Sequence, residues 1–371
     1  MTEAPRERVD LCVRRDDWSR CRFETSTLPS LDSGQVLLGV ERFALTSNNI
    51  SYAAAGDLLD YWGFFPAEGG WGRIPAMGFG RVLASSHPEV AEGERVFGFF
   101  PMATHLVIRA KDVTPTHFVD GSAHRQKHAQ AYRQYSTVKA DPLYDAPYED
   151  QILLLRGLFM TSFLVDHFLA DHEGFGAETY AIGSASSKTA IALAALLARR
   201  GRGRVLGFTS PRNLAFVRGL GFYDDVLPYA QVESLPSSGT VTLIDHSGEG
   251  PFVDALHRHL EDRLAYSCIV GGTHWQGRPR SADLPGPEPS FFFAPAEIQN
   301  RVQAWGASGF QDRLGTAWRE FCEGSGDWLR VVRHRGRLAV EQVYREVLEG
   351  RAKPDEGHVL SLEDGGGAEP R

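Results

Sequence analysis

The chain lacks a basic excess: 39 Lys and Arg stand against 47 Asp and Glu, a formal net charge of −8. No cationic surplus exists to neutralise phosphate backbones, which excludes nucleic acid as the expected partner. Cysteine is scarce, with only Cys12, Cys21, Cys268 and Cys322 in 371 residues and no C-x-x-C among them. A disulfide framework and a zinc ribbon are therefore not expected, and a reducing, cytoplasmic setting is. No uninterrupted apolar run reaches membrane-spanning length and the N-terminus is polar, so neither a membrane anchor nor a signal peptide is read. Several catalytic signatures are absent too. His124 and His128 stand four apart, where a helix would place them on one face, but no H-E-x-x-H and no neighbouring Cys or Glu completes a metal set. Lys188-Thr189 invites a phosphate-loop reading, which fails because Ser187 and Ile182 stand where glycines are required. Without G-x-S-x-G, Ser186 and Ser187 form no nucleophile elbow.

What is present reads as an ordinary globular protein, 42% hydrophobic and 23% charged, long enough for two domains. Residues 1–150 carry short apolar stretches at 36–45, 74–83, 93–100 and 105–108, separated by glycine turns, which predict a small β-rich domain. Within it, residues 116–150 are polar and aromatic without periodicity and read as an insertion or lid. From residue 152 an apolar helix leads into strands and helices in alternation, the pattern of a parallel, doubly wound sheet. Helical stretches follow at about 296–305 and 308–323, and the tail from residue 363 is Gly-rich and expected to be disordered.

The stretch Glu178–Leu197 organises this second part. An apolar strand over residues 179–182 meets an Ala/Leu-rich helix from Thr189 through a run of very small residues, Gly183, Ser184, Ala185, Ser186 and Ser187. Small side chains allow backbone N–H groups to approach a diphosphate, and a helix N-terminus favours its negative charge. Lys188 reads equally as a solvated first-turn residue or as a phosphate contact. The next strand ends in Thr209-Ser210-Pro211-Arg212 with no acid between residues 204 and 213. An NAD site normally carries Asp or Glu there, whereas hydroxyls and an arginine suit a 2′-phosphate, so NADP(H) is the expected cofactor. Tyr229 reads either as core or as a residue on the adenine side. Tyr61, Trp62 and Phe64 read as a packed loop or as the wall of a pocket for a flat substrate.

The segments at 76–82 (AMGFGRV), 93–98 (GERVFG), 245–248 (DHSG), 269–272 (IVGG) and 340–350 (VEQVYREVLEG) occur in one characteristic order. In that order the chain resembles the medium-chain dehydrogenase/reductase superfamily, on its zinc-free quinone/enoyl reductase-like side, in a branch described as a domain of unknown function. The resemblance implies an α/β fold, with a GroES-like catalytic domain at 1–150, a Rossmann domain at 151–295 and a return to the catalytic domain over 296–371. It implies no metal, because Phe79 and Gly80 stand where zinc-type relatives carry His and Glu. It also implies substrate-proximal polar residues at Asn48, Asn49 and Tyr52, with Tyr52 able to relay a proton, and cofactor contacts at Thr161 and Gly271.

The function expected is NADPH-dependent reduction of a small activated alkene, enone or quinone, the partner being a small molecule and a homodimer left open. Two alternatives stand beside it: an NADPH-binding sensor or partner protein without turnover, and a non-redox biosynthetic enzyme on the same fold.

Overall fold

The computed structural model describes residues 7–235, 238–271 and 280–363. Gly272 and the tail beyond residue 363 lie outside them. The chain divides into two compact units, Met1–Leu154 with Arg330–Arg371, and Leu155–Leu329.

The first unit opens with an antiparallel pair, β1 (Glu7–Arg14) and β2 (Cys21–Thr27), followed by β3 (Gln35–Leu45) and a short helix α1 (Ser47–Ala54). Then come β4 (Trp71–Gly72), β5 (Pro75–Ser85), β6 (Arg95–Pro101), β7 (His105–Lys111), β8 (His117–Asp120) and β9 (Gln134–Thr137). Helix α2 (Glu149–Asp171) carries the boundary between the units. The second unit contributes β10 (Thr179–Gly183), α3 (Lys188–Arg200), β11 (Arg204–Thr209), α4 (Leu214–Gly219) and β12 (Asp225–Pro228). It continues with β13 (Val241–Asp245), α5 (Gly250–Leu260), β14 (Leu264–Ile269), β15 (Ser290–Phe291) and α6 (Ala294–Ser325). The chain then returns to the first unit through β16 (Arg330–Arg335), α7 (Arg337–Leu348) and β17 (Glu356–Ser361).

The larger sheet of the first unit runs β16-β17-β3-β5-β6-β9-β8-β7, and β3 also pairs with β7, which closes β3-β5-β6-β9-β8-β7 into a barrel. Gly78 and Gly80 on β5 make room for one ring: Cβ atoms there would stand 2.8 and 2.7 Å from Phe100. The 116–150 segment is no appended insertion or lid. Its β8 and β9 fill the gap between β7 and β6, with Val96 opposite Thr137 and Ala110 opposite Asp120. Arg125, fully buried, holds the loop between them. Its guanidinium donates to the Tyr132 carbonyl and to Tyr135 Oη at 3.1 Å, and lies 4.7 Å from the Phe65 ring centre. His124 and His128 accordingly share no helix face; His124 lies in the 3₁₀ turn Ala123–Arg125, and His128 bonds Asp60 Oδ2 at 2.9 Å.

The second unit's sheet is parallel throughout, in the order β12-β11-β10-β13-β14-β15. Strand order reverses between β10 and β13, and a doubly wound sheet opens its ligand crevice at the carboxyl ends of that pair. Every residue of β10 and β13 is buried, as a sheet covered on both faces requires. One expected boundary falls elsewhere. Residues 296–329 stay with the second unit, because α6 packs on α2 through Phe159 against Trp318 and Phe321, and Phe163 against Trp305 and Phe310. The two expected helical stretches are one element interrupted at Gly306, where φ is 73°. The stretch 146–171 is long and apolar enough to cross a bilayer by composition, yet 61% of its most apolar window is buried inside the protein.

If residues 116–150 complete the barrel, damage to them costs stability. Arg125→Ala strips Asp120 and Tyr135 of a buried donor and should destabilise the first unit by about 3 kcal/mol in denaturant unfolding, the scale for breaking a buried charge pair. A variant as stable as wild type would mark the segment as dispensable.

Candidate functional site

At the carboxyl end of β10 the chain turns through Ser184, whose φ of 56° is left-handed, and enters α3. Ser187 caps that helix, its hydroxyl accepting the Ala190 N–H at 3.3 Å. The turn lies tightly against its neighbours. A Cβ at Gly183 would stand 2.4 Å from Asp245 Oδ1, and one at Gly207 on β11 would stand 2.9 Å from Ala185 Cβ. Asp245, opposite Gly183 in the β10–β13 register, folds its own carboxylate into an Asx turn, accepting from Ser247 N at 2.8 Å and Gly248 N at 3.1 Å.

The turn's polar groups are partly used within the unit. Ser184 N–H donates to Tyr229 Oη (3.1 Å), Ala185 N–H to the Phe208 carbonyl (2.9 Å) and Ser187 N–H to the Ser184 carbonyl (2.8 Å). Ser186 Oγ accepts from Thr209 Oγ1 at 3.2 Å and from Asn213 Nδ2 at 3.0 Å, which ties the turn to the end of β11. Thr209 is thereby buried and occupied, whereas Arg212 is exposed. Ser210 lines a cavity of about 760 Å³ together with Tyr229, Glu249, Arg258 and His259. Lys188 opens α3 and is half-buried, and a Cβ on Gly271 would meet nothing closer than the His246 carbonyl at 4.0 Å. Thr161 returns its hydroxyl to the Gly157 carbonyl of its own helix at 3.2 Å. His246, at the end of β13, is buried, and burial pushes its imidazole down to about 4.

In the first unit the expected substrate residues divide. Asn49 is consumed by structure: its Oδ1 accepts the Thr46 N–H at 2.7 Å, completing a capping box on α1, and its Nδ2 donates to the Pro75 carbonyl at 2.9 Å. Both polar atoms of that amide are thereby engaged within the unit. Trp62 is likewise no pocket wall, because its indole is clamped between Gly56 and Gly72, where Cβ atoms would stand 2.2 and 2.4 Å away. Phe64 is buried among Tyr61, Phe99 and Tyr132.

Asn48, Tyr52 and Tyr61 come together with Tyr132. Asn48 lies beside the Tyr52 phenol, and Tyr61 beside that of Tyr132. The Tyr52 and Tyr61 rings are 4.9 Å apart, Tyr61 and Tyr132 are 6.0 Å apart, and all three phenols are pushed up by burial. They are neutral donors at physiological pH.

Tyr132 escaped the sequence reading because nothing in the spacing of an aperiodic segment ties it to Tyr61, 71 positions earlier in the chain. Gly207 carried a legible signal, a glycine inside the strand run 204–209, which marks close backbone approach.

The family model described as "Protein of unknown function (DUF2855)" matches residues 43–353. No curated protein matches the chain in sequence. Among solved structures, CurA from Vibrio vulnificus is similar at 15% identity and a TM-score of 0.62, over 97% of this chain and 99% of that one. A CurA structure in complex with NADPH is similar at 12% identity and a TM-score of 0.62, over 97% of this chain and all of that one. A putative NADPH:quinone reductase from Mesorhizobium loti gives 14% identity and a TM-score of 0.55, over 97% and 99%. The yhdH oxidoreductase from Salmonella enterica, solved with NADP, gives 14% identity and a TM-score of 0.52, over 96% and 100%. At these identities the likeness concerns the fold alone, a parallel α/β unit with a separate β-rich unit, as the sequence reading expected.

Asn49→Ala should lower the first unit's stability by about 1–2 kcal/mol, the worth of a lost cap and a stranded buried carbonyl, without altering ligand binding. Calorimetry on the variant checks both halves of that statement. A second expectation concerns acid. The unfolded chain protonates His246 near 6.5 while the folded chain resists until about 4, so its contribution is complete above 6.5 and is lost as pH falls toward 4. Denaturant unfolding of the second unit between pH 7 and 4 should therefore weaken more steeply in wild type than in His246→Phe.

Proposed function

The chain belongs to the DUF2855 family, and from that premise we propose that it is an NADPH-dependent oxidoreductase that reduces a small activated alkene, enone or quinone. The observation that carries the reading is the small-residue turn Gly183–Ser187. It lies at the switch point of a parallel sheet, beside a cavity that receives Ser210 and Tyr229. Phosphates suit such a turn because a capped helix begins there and no Cβ larger than alanine or serine intervenes. The end of β11 offers Ser210 and Arg212 with no carboxylate, which favours a 2′-phosphate over a free ribose hydroxyl. Structures of similar fold from Vibrio vulnificus and Salmonella enterica hold NADPH and NADP, and this supports the same cofactor class here.

NADPH, when bound, supplies a hydride to the β carbon of the conjugated substrate. The first unit's residues answer the charge that then develops on the carbonyl oxygen. Tyr52, a neutral phenol with Asn48 beside it, is the proposed hydrogen-bond donor to that oxygen and the proposed source of the proton that returns to the α carbon. Three N–H groups of the turn already have acceptors within the unit, among them Ser184 with Tyr229. Binding of the diphosphate therefore has to displace the Tyr229 hydroxyl or share the remaining donors. That feature bears on cofactor binding whether or not turnover follows, and it makes the cofactor titration the first experiment.

Wild type should bind NADPH at least tenfold more tightly than NADH, and Arg212→Ala should reduce that preference by about tenfold while leaving NADH unchanged, the worth of one charge-assisted contact. Equal affinity for both cofactors, untouched by the substitution, would remove the assignment. NADPH oxidation with a panel of enones and quinones then separates a reductase from a binding protein, since consumption by no member of the panel leaves only the latter or a non-redox enzyme.

A further inference from the structure

We infer that the Tyr229 hydroxyl is an internal competitor for the diphosphate site, taking the Ser184 N–H that a phosphate oxygen of the cofactor would accept and making nucleotide binding weaker than the turn alone would allow. The inference deepens the NADPH reading by naming what regulates that site, and it rests on that reading for the identity of the incoming group.

The turn Gly183–Ser187 spends three backbone donors inside the unit, and they are not alike. Ala185 N–H gives to the Phe208 carbonyl at 2.9 Å, and Ser187 N–H gives to the Ser184 carbonyl at 2.8 Å. Both acceptors are main-chain atoms, fixed by β11 and by the turn itself. Ser184 N–H gives to a side chain, the Tyr229 hydroxyl at 3.1 Å, 45 residues further along the chain. A side-chain acceptor can rotate away between staggered wells, and a carbonyl in a strand cannot. Of the three donors, Ser184 is therefore the one a ligand can take without disturbing the sheet. It also belongs to the residue that leaves the end of β10 with a left-handed φ of 56°, where a doubly wound sheet receives a diphosphate.

Packing delivers Tyr229 to the turn. The residue follows Pro228 at the end of β12 and opens the 3₁₀ segment Tyr229–Ser234. Its ring lies edge-on against Phe252 of α5, 5.0 Å between centres and 62° between planes, and Phe252 in turn meets Phe208 of β11. The hydroxyl is thus aimed by the fold. Burial pushes the phenol up, so it stays neutral at physiological pH. A neutral hydroxyl oxygen is a weaker acceptor than a charged phosphate oxygen, whose hydrogen bonds are roughly twice as strong. The exchange therefore runs toward the ligand, but only after the internal bond is given up. The ring has room to yield, because Tyr229 also lines the cavity of about 760 Å³ with Ser210, Phe252 and Ala255.

Tyr229→Phe keeps the ring on Phe252 and removes only the oxygen. In calorimetric titrations of the full chain, NADPH, NADH and ADP should each bind the variant about two- to tenfold more tightly than wild type, the worth of one neutral hydrogen bond that no longer has to be broken. The gain should be equal for all three, since each carries an adenosine diphosphate, and adenosine, which has no phosphate, should gain nothing. Thermal melting reports the fold, and Tyr229→Leu, which also lacks the oxygen, takes the place of Tyr229→Phe should that variant not fold. Equal or weaker binding of NADPH and ADP by the variant overturns the competitor and leaves the cofactor reading standing. A gain for adenosine as large as that for ADP overturns it as well, because the effect then arises in the cavity and not at the turn. If neither protein binds NADPH or ADP, the cofactor reading falls and the competitor with it. If the pattern holds and no enone or quinone consumes NADPH, the competitor stands and the reductase reading falls.

Discussion

A Cβ atom on Gly207 would stand 2.9 Å from Ala185 Cβ, and one on Gly183 would stand 2.4 Å from Asp245 Oδ1. These two close approaches govern what the second unit can present at its sheet edge. Gly207 lets the turn lie down on β11, where the Ala185 N–H reaches the Phe208 carbonyl and Ser186 Oγ receives Thr209 and Asn213. Gly183 lets the Asp245 carboxylate curl back onto its own loop instead of projecting into the crevice. Any larger side chain at either position lifts the turn, and with it the first residue of α3. The Ser187 cap then fixes where the helix starts, so the position of its N-terminal dipole follows from packing rather than from a ligand.

The first unit obeys a different constraint, closure. A six-strand barrel has no free edge, and here the last gap is filled by two four-residue strands from a segment whose composition resembles a surface loop. Short strands contribute little on their own. Arg125 compensates by gathering the Tyr132 carbonyl and the Tyr135 hydroxyl beneath the connecting loop, against Phe64 and Phe65. A guanidinium suits this place because its flat face covers aromatic rings while its edge donates.

Much of the fold was legible in the chain because it is written in local patterns. The mostly apolar runs of β10 and β13, the alternation of strand and helix after residue 178 and the small-residue turn each report on neighbours a few positions away. Pairings across the chain were not legible. Nothing about residues 117–120 and 134–137 says that they join β7 and β6, and their short, polar-flanked strands carry no alternation strong enough to separate strand from loop. The same limit explains Asn49 and Trp62. Their residue types suited a site, but their partners, the Thr46 N–H, the Pro75 carbonyl and the bare faces of Gly56 and Gly72, are facts of three dimensions. Asn48 and Asn49 are adjacent in sequence, and the first turn of α1 sends one amide into a capping box and leaves the other beside Tyr52.

The barrel also answers how a loop-like segment can hold an ordered phenol beside Tyr61. A mobile lid bearing Tyr132 would lose backbone and side-chain freedom each time it closed, about 1–2 kcal/mol for every residue ordered. Anchored by β8 and β9 and by Arg125 beneath its carbonyl, Tyr132 is ordered by folding itself, before any ligand arrives. Its ring then packs edge-on against Tyr61, 6.0 Å between centres, a residue that is in turn packed on Phe64. The strands that close the barrel and the phenol that faces Tyr61 are thus one device. A side chain is ordered only as far as its backbone is, and here the closure of the barrel fixes that backbone.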